Sequence, residues 1–190
     1  MRLFIILFLL IVYFALEIIF VSPSTKWHIV TECSQDQELR SKRNLLFHQD
    51  ITVFPSSMIS YCEAVERVEF AGSDCYFMAG SFEGCANLEY IKLPHRLERI
   101  PDNMFRNCSS LKEIIIPSTV KSIGKNAFDG CSGLTSVTFG DTSGWYVTTS
   151  YTDAARKTGG TAVTLSSPDL AANARLVNDT YRTYYWYKVD

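Results

Sequence analysis

The stretch LKEIIIPSTVKSIGKNAFDGCSGL, residues 111–134, holds one full period of a repeat, and that period decides the fold. Its cysteine, Cys131, has counterparts at Cys62, Cys85 and Cys108, and each lies 23 residues from the next. A catalytic thiol is expected once in a chain, whereas a packing position in a repeat recurs in every unit. The interval therefore indicates a structural role for these four cysteines.

The apolar positions around the cysteines recur at the same interval. The aligned sets are Val65, Leu88, Leu111 and Leu134; Val68, Ile91, Ile114 and Val137; Phe70, Leu93, Ile116 and Phe139; Leu97 and Val120; Phe77, Ile100 and Ile123; and Phe82, Phe105 and Phe128. A degenerate copy precedes them, because residues 51–62 overlay residues 97–108. The repeats therefore span residues 43–140.

Each unit reads as two extended pieces and a turn. Residues 111–116 predict a strand in which Ile114 and Ile116 alternate toward one face. Pro117 ends this strand because proline fixes φ and has no N–H to donate. A second extended piece follows at residues 120–123.

The residue before each repeated cysteine is Gly84, Asn107 or Gly130. Glycine and asparagine accept a positive φ at low cost, so we expect a left-handed residue that closes the turn. This explains Asn107 by backbone geometry rather than by glycosylation of its formal Asn-X-Ser sequon. Asn178 begins a second such sequon.

A single coil of this kind cannot bury its apolar face alone, so neighbouring coils must stack. Stacking pairs equivalent strands into a parallel ladder about 4.8 Å apart. The predicted fold is a short repeat solenoid with a parallel β-ladder.

The motif L-x-x-I-x-I-P-x-x-V-x-x-I-G-x-x-A-F-x-x-C-x-x-L of residues 111–134 resembles the 23-residue leucine-rich repeat of BspA-type surface proteins of host-associated bacteria. The resemblance implies a leucine-rich-repeat solenoid on an exported protein that adheres to host matrix proteins or to other cells. Two sites depart from the motif: residues 74–77 replace the V-x-x-I piece, and His95 and Arg96 replace Ser and Thr after Pro94. We therefore expect the second coil to be irregular.

The stacked cysteines are expected to be buried free thiols. In-register parallel side chains keep their Cβ atoms about 4.8 Å apart, beyond the range of about 3.5 to 4.5 Å that a disulfide needs. No C-x-x-C is present and His28, His48 and His95 are scattered, so we expect no metal and no cofactor. Cys33 and Cys75 lie outside the column, and whether they pair stays open.

Composition excludes one class of function and motifs argue against another. The chain has a net charge of −2 and no run of Lys or Arg, which argues against nucleic-acid binding. It carries no nucleophile–base constellation or phosphate-binding loop, so we expect neither an enzyme nor a small-molecule substrate.

Residues 3–21 are almost wholly apolar and follow Arg2. Their length is close to the ~20 residues that span a bilayer, which favours a signal anchor, while Ser22 and Ser24 offer a signal-peptidase site. Residues 1–24 are therefore a signal peptide or a signal anchor that touches the membrane if uncleaved. Residues 25–42 are expected to be a linker and partial N-cap. We expect the rest of the chain outside the cytoplasm, in the cell envelope or on the surface.

One face of the ladder is predicted to point outward. Its columns are Arg67, Tyr90, Glu113 and Ser136, and Glu69, Lys92, Ile115 and Thr138. Solenoids present such surfaces to macromolecules. The candidate binding residues are Arg67, Glu69, Tyr90, Lys92, Glu113 and Ile115, and Glu69 is close enough to pair with Lys92. An ordinary solvated sheet face is the alternative.

Residues 141–190 leave the period and predict a hairpin, a helix and a closing strand. Residues 145–148 pair with residues 161–165 through a Gly159-Gly160 turn, residues 168–177 form the helix with Ser167 as its N-cap, and residues 183–189 close the sheet. An open solenoid end needs such a cap. The Y-Y-W-Y-K ending resembles that of treponemal proteins of the same family.

Three functions remain in competition. The resemblance implies a surface protein that binds a protein partner such as a host matrix protein. The second is a carbohydrate-binding envelope protein whose glycan platform uses exposed Trp145, Tyr184, Tyr185, Trp186 and Tyr187. The third is a purely structural envelope component.

Overall fold

The computed structural model describes residues 27–31, 39–56, 58–166 and 168–189. Within them the chain winds as a coil of short strands joined by hydrogen-bonded turns. The strands are β1 (His28–Val30), β2 (Asn44–Phe47), β3 (Val53–Phe54), β4 (Arg67–Phe70), β5 (Tyr76–Phe77), β6 (Tyr90–Lys92), β7 (Arg99–Ile100), β8 (Glu113–Ile116), β9 (Ser122–Ile123), β10 (Ser136–Phe139), β11 (Trp145–Thr148), β12 (Thr161–Ala162) and β13 (Tyr185–Lys188).

The first strand of every coil pairs in parallel with its equivalent one unit away, as predicted. Val68 lies beside Ile91 and Ile114 beside Val137, which is the 23-residue register. Along β8 exposed and buried side chains alternate, so Ile114 and Ile116 face the core. The strand order is β1-β2-β4-β6 in one sheet and β8-β10 in another, so the ladder is interrupted between β6 and β8.

The second strands form the other side of the coil. β3 pairs with β5, and β7 pairs with β9, both in parallel. The β5 and β7 strands belong to separate sheets, so this side is also interrupted. The break lies at the departures from the repeat motif, where Arg96 pairs with Asp74 at 3.5 Å. The irregular second coil therefore keeps its strand but loses its pairing with the next one.

The turns form the third side, and this side is continuous. Residues Gly84, Asn107 and Gly130 have φ of 71°, 62° and 75°, which confirms the predicted left-handed conformation. The turn N–H groups donate to the following coil; the Phe82 N–H, for example, lies 3.0 Å from the Met104 oxygen. Inside the turns, the rings of Phe82, Phe105 and Phe128 stack with centroids 5.6 and 5.4 Å apart, and Phe82 also stacks on Phe54 of β3 at 5.0 Å.

The C-terminal part adds two helices to three strands. These are α1 (Tyr151–Arg156) and α2 (Leu170–Arg175), and α2 continues into a π-helical turn (Leu176–Thr180). The pairing of β11 with β12 is antiparallel as expected, but the connection between these two strands contains α1 and is not a simple turn. β13 pairs antiparallel with both β11 and β9, so the closing strand was predicted correctly.

The helix start differs from the expectation. The N-cap of α2 is Asp169, whose carboxylate accepts a hydrogen bond from the Ala172 N–H at 2.8 Å. The predicted cap, Ser167, lies outside the described residues. The predicted helix begins at residue 168, two positions too early, because proline is typical of the first helical position. Asp169 was therefore not considered as a cap.

α2 closes the open edge of the last ladder strand. Asn173 is 1% exposed, and its Nδ2 donates to the Val137 oxygen at 3.1 Å. Asn178 Nδ2 likewise donates to the oxygens of Cys131 and Leu134. Two side-chain amides thus take the place of a further strand, because an edge strand offers backbone groups that need partners.

The other end of the solenoid carries β1, which pairs in parallel with β2. Residues 3–21, the expected export segment, and Cys33 lie outside the described residues. In the parts of the chain that are described, no helix is long and apolar enough to cross a membrane.

Candidate interaction surface

The repeated cysteines make one hydrogen-bonded column. Their Sγ atoms donate to backbone oxygens of the preceding coil: Cys62 to Arg40 at 3.1 Å, Cys85 to Ile59 at 3.0 Å, Cys108 to Phe82 at 3.2 Å and Cys131 to Phe105 at 3.0 Å. These four residues carry free thiols and are buried, as predicted.

Burial changes the ionisation of the repeated thiols. Burial raises the pKa of Cys85 and of Cys131 to about 12, and it raises the pKa of Cys108 well above its ordinary value. The thiolate is the nucleophile and the metal ligand, and the raised pKa keeps Cys85, Cys108 and Cys131 in the thiol form at neutral pH. Within the described residues no group of three or more His, Cys, Asp or Glu side chains could hold a metal ion.

The six candidate binding residues lie side by side on what we call the first-sheet face, formed by Arg67, Glu69, Tyr90, Lys92, Glu113 and Ile115. Strand pairing sets Arg67 beside Tyr90 and Glu69 beside Lys92. The Arg67 guanidinium carbon lies 4.5 Å from the centre of the Tyr90 ring, a cation–π contact. Between the described side chains of Glu69 and Lys92 there is no ion pair, so their register was predicted correctly but their pairing was not.

The interruption of the ladder shapes this face. A cleft of about 510 Å³ lies where β6 and β8 fail to pair, and Tyr90, Lys92, Glu113, Ile115 and Leu170 are among its lining residues. Ile115 is 67% exposed, the largest value among the exposed large hydrophobic side chains of the described residues. The cleft was not predictable from the repeat, because the equivalent strands on either side carry the same apolar pattern.

The turn side carries an ion ladder that sequence reasoning missed. Arg106 lies 3.4 Å from Glu83 and 3.7 Å from Asp129, and Arg182 of the C-terminal part lies 3.8 Å from Asp129. The sign of the charge alternates at 23-residue intervals through residues 83, 106 and 129. This alternation of charge is the sequence pattern from which the ion ladder could have been predicted. Because the side chains are partly exposed, each pair is worth at most about 1 kcal/mol.

The aromatic tail does not form the glycan platform considered above. Trp145, Trp186 and Tyr187 are buried. Trp186 packs against Phe139 and Trp145, with ring centroids 6.3 Å away from each. The alternative in which these rings are exposed is wrong, because Trp145 and Trp186 pack on Phe139 at the end of the solenoid and Tyr187 stacks on Tyr146. Tyr184 and Tyr185 are half-buried.

Of the comparisons with known proteins, the match to a family of repeats agrees with this architecture. The family described as "BspA type Leucine rich repeat region" matches residues 37–150 in six copies, which is more than half of the chain. Among solved structures, a leucine-rich cell surface protein from Faecalibacterium prausnitzii A2-165 is similar at 18% identity and a TM-score of 0.31, over 55% of this chain and 40% of that one. Among proteins with curated functions, none matches the chain. The matched repeats show that the chain belongs to the BspA-type leucine-rich repeat family.

Proposed function

We propose that this protein is an exported, surface-displayed interaction module that binds a protein partner through its first-sheet face. The observation that carries the proposal is the cleft of about 510 Å³ at the break between β6 and β8, with the exposed Ile115 among its lining residues. Partly exposed apolar and aromatic side chains beside charged ones are typical of the residues that dominate protein interfaces.

The shape of the face supports a macromolecular partner. Its residues come from successive coils, so the surface extends along the solenoid and is wide rather than enclosed. Small-molecule sites are deep, mostly apolar cavities with few convergent polar groups. The buried, protonated thiols and the open cleft, whose lining mixes apolar side chains with Lys92 and Glu113, support a non-enzymatic role.

The position of the protein in the cell is part of the proposal. Residues 3–21 are apolar enough to serve as an export segment, and adhesion to a host matrix or envelope protein is what the family implies. Protease added to intact cells should remove the repeats while cytoplasmic controls survive. Survival of the repeats alongside digestion of known outer-surface proteins would instead place the protein inside the envelope, as a structural component.

The binding face can be tested with the full chain and a matched pair of variants. Wild-type protein is bound to an array of purified host matrix and envelope proteins, beside Ile115→Asp and the control Lys125→Glu, whose side chain is exposed in a turn. We expect Ile115→Asp to weaken binding about tenfold or more and the control to have no effect, because a charge in an apolar contact costs desolvation energy. Equal binding by all three proteins would refute the use of this face.

A further inference from the structure

The opposite strand face of the coil carries its own exposed surface, which the prediction of a binding site did not include. We define the second-sheet face by Val53, Tyr76, Met78 and Arg99. Val53 pairs with Tyr76 across β3 and β5, and Arg99 holds the equivalent outward position on β7. Their neighbours Phe54, Phe77 and Ile100 point inward and are buried, so the outward direction of these four side chains is fixed by the strand alternation.

This face is richer in exposed apolar surface than the first-sheet face. Tyr76 is 63% exposed, Val53 50% and Met78 46%. Tyr151 of α1, which is 59% exposed, lies farther along the same side, where it makes an edge contact with Tyr185. Half of the eight exposed large hydrophobic residues in the described chain therefore gather here. Such concentration on one surface marks an interaction site rather than scattered exposure.

Arg99 stands between two clefts on this face. One, of about 450 Å³, lies at the break between β5 and β7 and is lined by Tyr76 and Arg99 among others. The second, of about 200 Å³, is bounded by Arg99, Lys121, Tyr151, Lys157 and Tyr185. An arginine flanked by tyrosines on both sides has the composition of an interface hot spot.

The charges on this face are unequal. Three cations, Arg99, Lys121 and Lys157, line the smaller cleft, and no carboxylate of the described residues does so. Arg99 Nη2 lies 3.6 Å from Asp102 Oδ1, and the side chain of Asp102 is not among those that line the cleft. At the larger cleft Asp74 and Arg96 pair with each other, and Glu98 is a further lining acid. The smaller cleft thus has an excess of positive charge on a chain whose net charge is −2.

The geometry points to a second interaction site: the second-sheet face binds an acidic segment of a protein partner. The carboxylates of that segment lie at Arg99, Lys121 and Lys157. The aromatic or aliphatic side chains of the segment pack on Tyr76, Met78 and Val53. Complementary charge selects the segment and speeds its encounter, while the apolar contacts provide the affinity. This inference does not depend on the first-sheet face, which lies on a different side of the coil.

The test uses the full chain and polymers of defined composition. Fluorescence anisotropy measures binding of a labelled glutamate–tyrosine copolymer, with a lysine–tyrosine copolymer, polyglutamate and chondroitin sulfate as comparisons. We expect the glutamate–tyrosine copolymer to bind tightest and to weaken as salt is raised. Tyr76→Ser and Lys121→Glu should each weaken it about tenfold, whereas Ile115→Asp on the first-sheet face should have no effect.

Four results would overturn the inference. Equal binding of the glutamate–tyrosine and lysine–tyrosine copolymers removes the role of charge. Binding of polyglutamate or chondroitin sulfate as tight as that of the copolymer shows only a general affinity for anions, or for a glycan. Unchanged affinity in Tyr76→Ser and Lys121→Glu, with circular dichroism spectra like that of the wild type, excludes this face. Loss of binding only in Ile115→Asp would assign the polymer to the first-sheet face instead.

Discussion

At the residue scale, the protein uses one small side chain for two purposes in every coil. Each repeated cysteine fills a tight position in the core, and the S–H groups of Cys85, Cys108 and Cys131 donate a second hydrogen bond to a carbonyl that already accepts an N–H. The Phe82 oxygen, for example, accepts from the Cys85 N–H at 3.2 Å and from Cys108 Sγ at 3.2 Å. The 23-residue interval predicted the column and its burial, because both depend on packing. The donor role depends on the thiol's rotamer, which the repeat pattern does not specify.

The thiol column predicts how stability depends on alkaline pH. Unfolded thiols ionise near 9, whereas in the folded state the pKa of Cys85 and of Cys131 is about 12. Since the folded pKa is raised, the stabilisation is complete below about pH 9 and is lost as pH rises toward 12, at about 1.4 kcal/mol per pH unit for each thiol. Chemical denaturation between pH 8 and pH 11 measures this slope.

A matched variant isolates the thiols from other groups. We expect Cys85→Ala together with Cys131→Ala to flatten the slope between about pH 9 and pH 11, although the variant is less stable at pH 7. In the folded wild type at pH 8, iodoacetamide should leave Cys62, Cys85, Cys108 and Cys131 unmodified by peptide mapping. Rapid alkylation of any of them without unfolding would contradict their burial.

The left-handed turn residues give a second prediction at this scale. Gly130 has a φ of 75°, and an added Cβ would lie 2.3 Å from Asn107 Oδ1. Gly130→Ala should lower the free energy of unfolding by about 1 to 2 kcal/mol, because a Cβ disfavours this conformation. Gly130→Asn is the control: its Cβ meets Asn107 as that of alanine does, but it should cost less because asparagine accepts a positive φ more readily, as Asn107 does in the previous coil. Equal stability of Gly130→Ala and wild type in urea denaturation would contradict the geometry.

At the element scale, strands were more predictable than their connections. The alternation of Ile114 and Ile116 and the prolines that follow specify the strand of each coil, because burial of one face fixes the register. The C-terminal part was predictable only in outline. Its closing strand is rich in aromatic residues, but α1 replaces a turn, and α2 begins at Leu170 because Asp169 caps it. Local capping decided both helix starts, since Ser150 Oγ accepts a hydrogen bond from the Asp153 N–H at 3.2 Å in α1 as Asp169 does from Ala172 in α2.

The edge contact of α2 gives a prediction at this scale. Asn173 is buried, its Nδ2 donates to the oxygens of Val137 and Ser166, and its Oδ1 accepts from the Ser166 N–H. Asn173→Leu leaves buried backbone groups unsatisfied, so we expect a loss of about 2 to 3 kcal/mol in the free energy of unfolding. Asn178→Ala, at the less buried neighbouring amide, should cost less. A loss below about 0.5 kcal/mol for Asn173→Leu would show that water replaces the amide.

At the scale of the whole molecule, the repeats determine the number of stacked coils but not whether the strands of every two neighbouring coils pair. Both strand sides are interrupted around the coil that contains β6 and β7, while the turn side stays continuous. The sequence located one break through its departures near Asp74 and His95. The other break lies between β6 and β8, whose repeats carry the same apolar pattern. The two candidate binding faces lie beside these breaks, so the parts that the repeat does not determine are those that shape the clefts.

The central claim is that side chains 23 residues apart lie directly over one another, and nuclear Overhauser contacts between aromatic rings test it most directly. With selectively labelled phenylalanine in the full chain, we expect cross-peaks joining Phe82 to Phe105 and Phe105 to Phe128, whose ring centroids lie 5.6 and 5.4 Å apart. Cross-peaks confined to residues within one unit, with none across the 23-residue interval in a well-folded sample, would contradict the stacked coil.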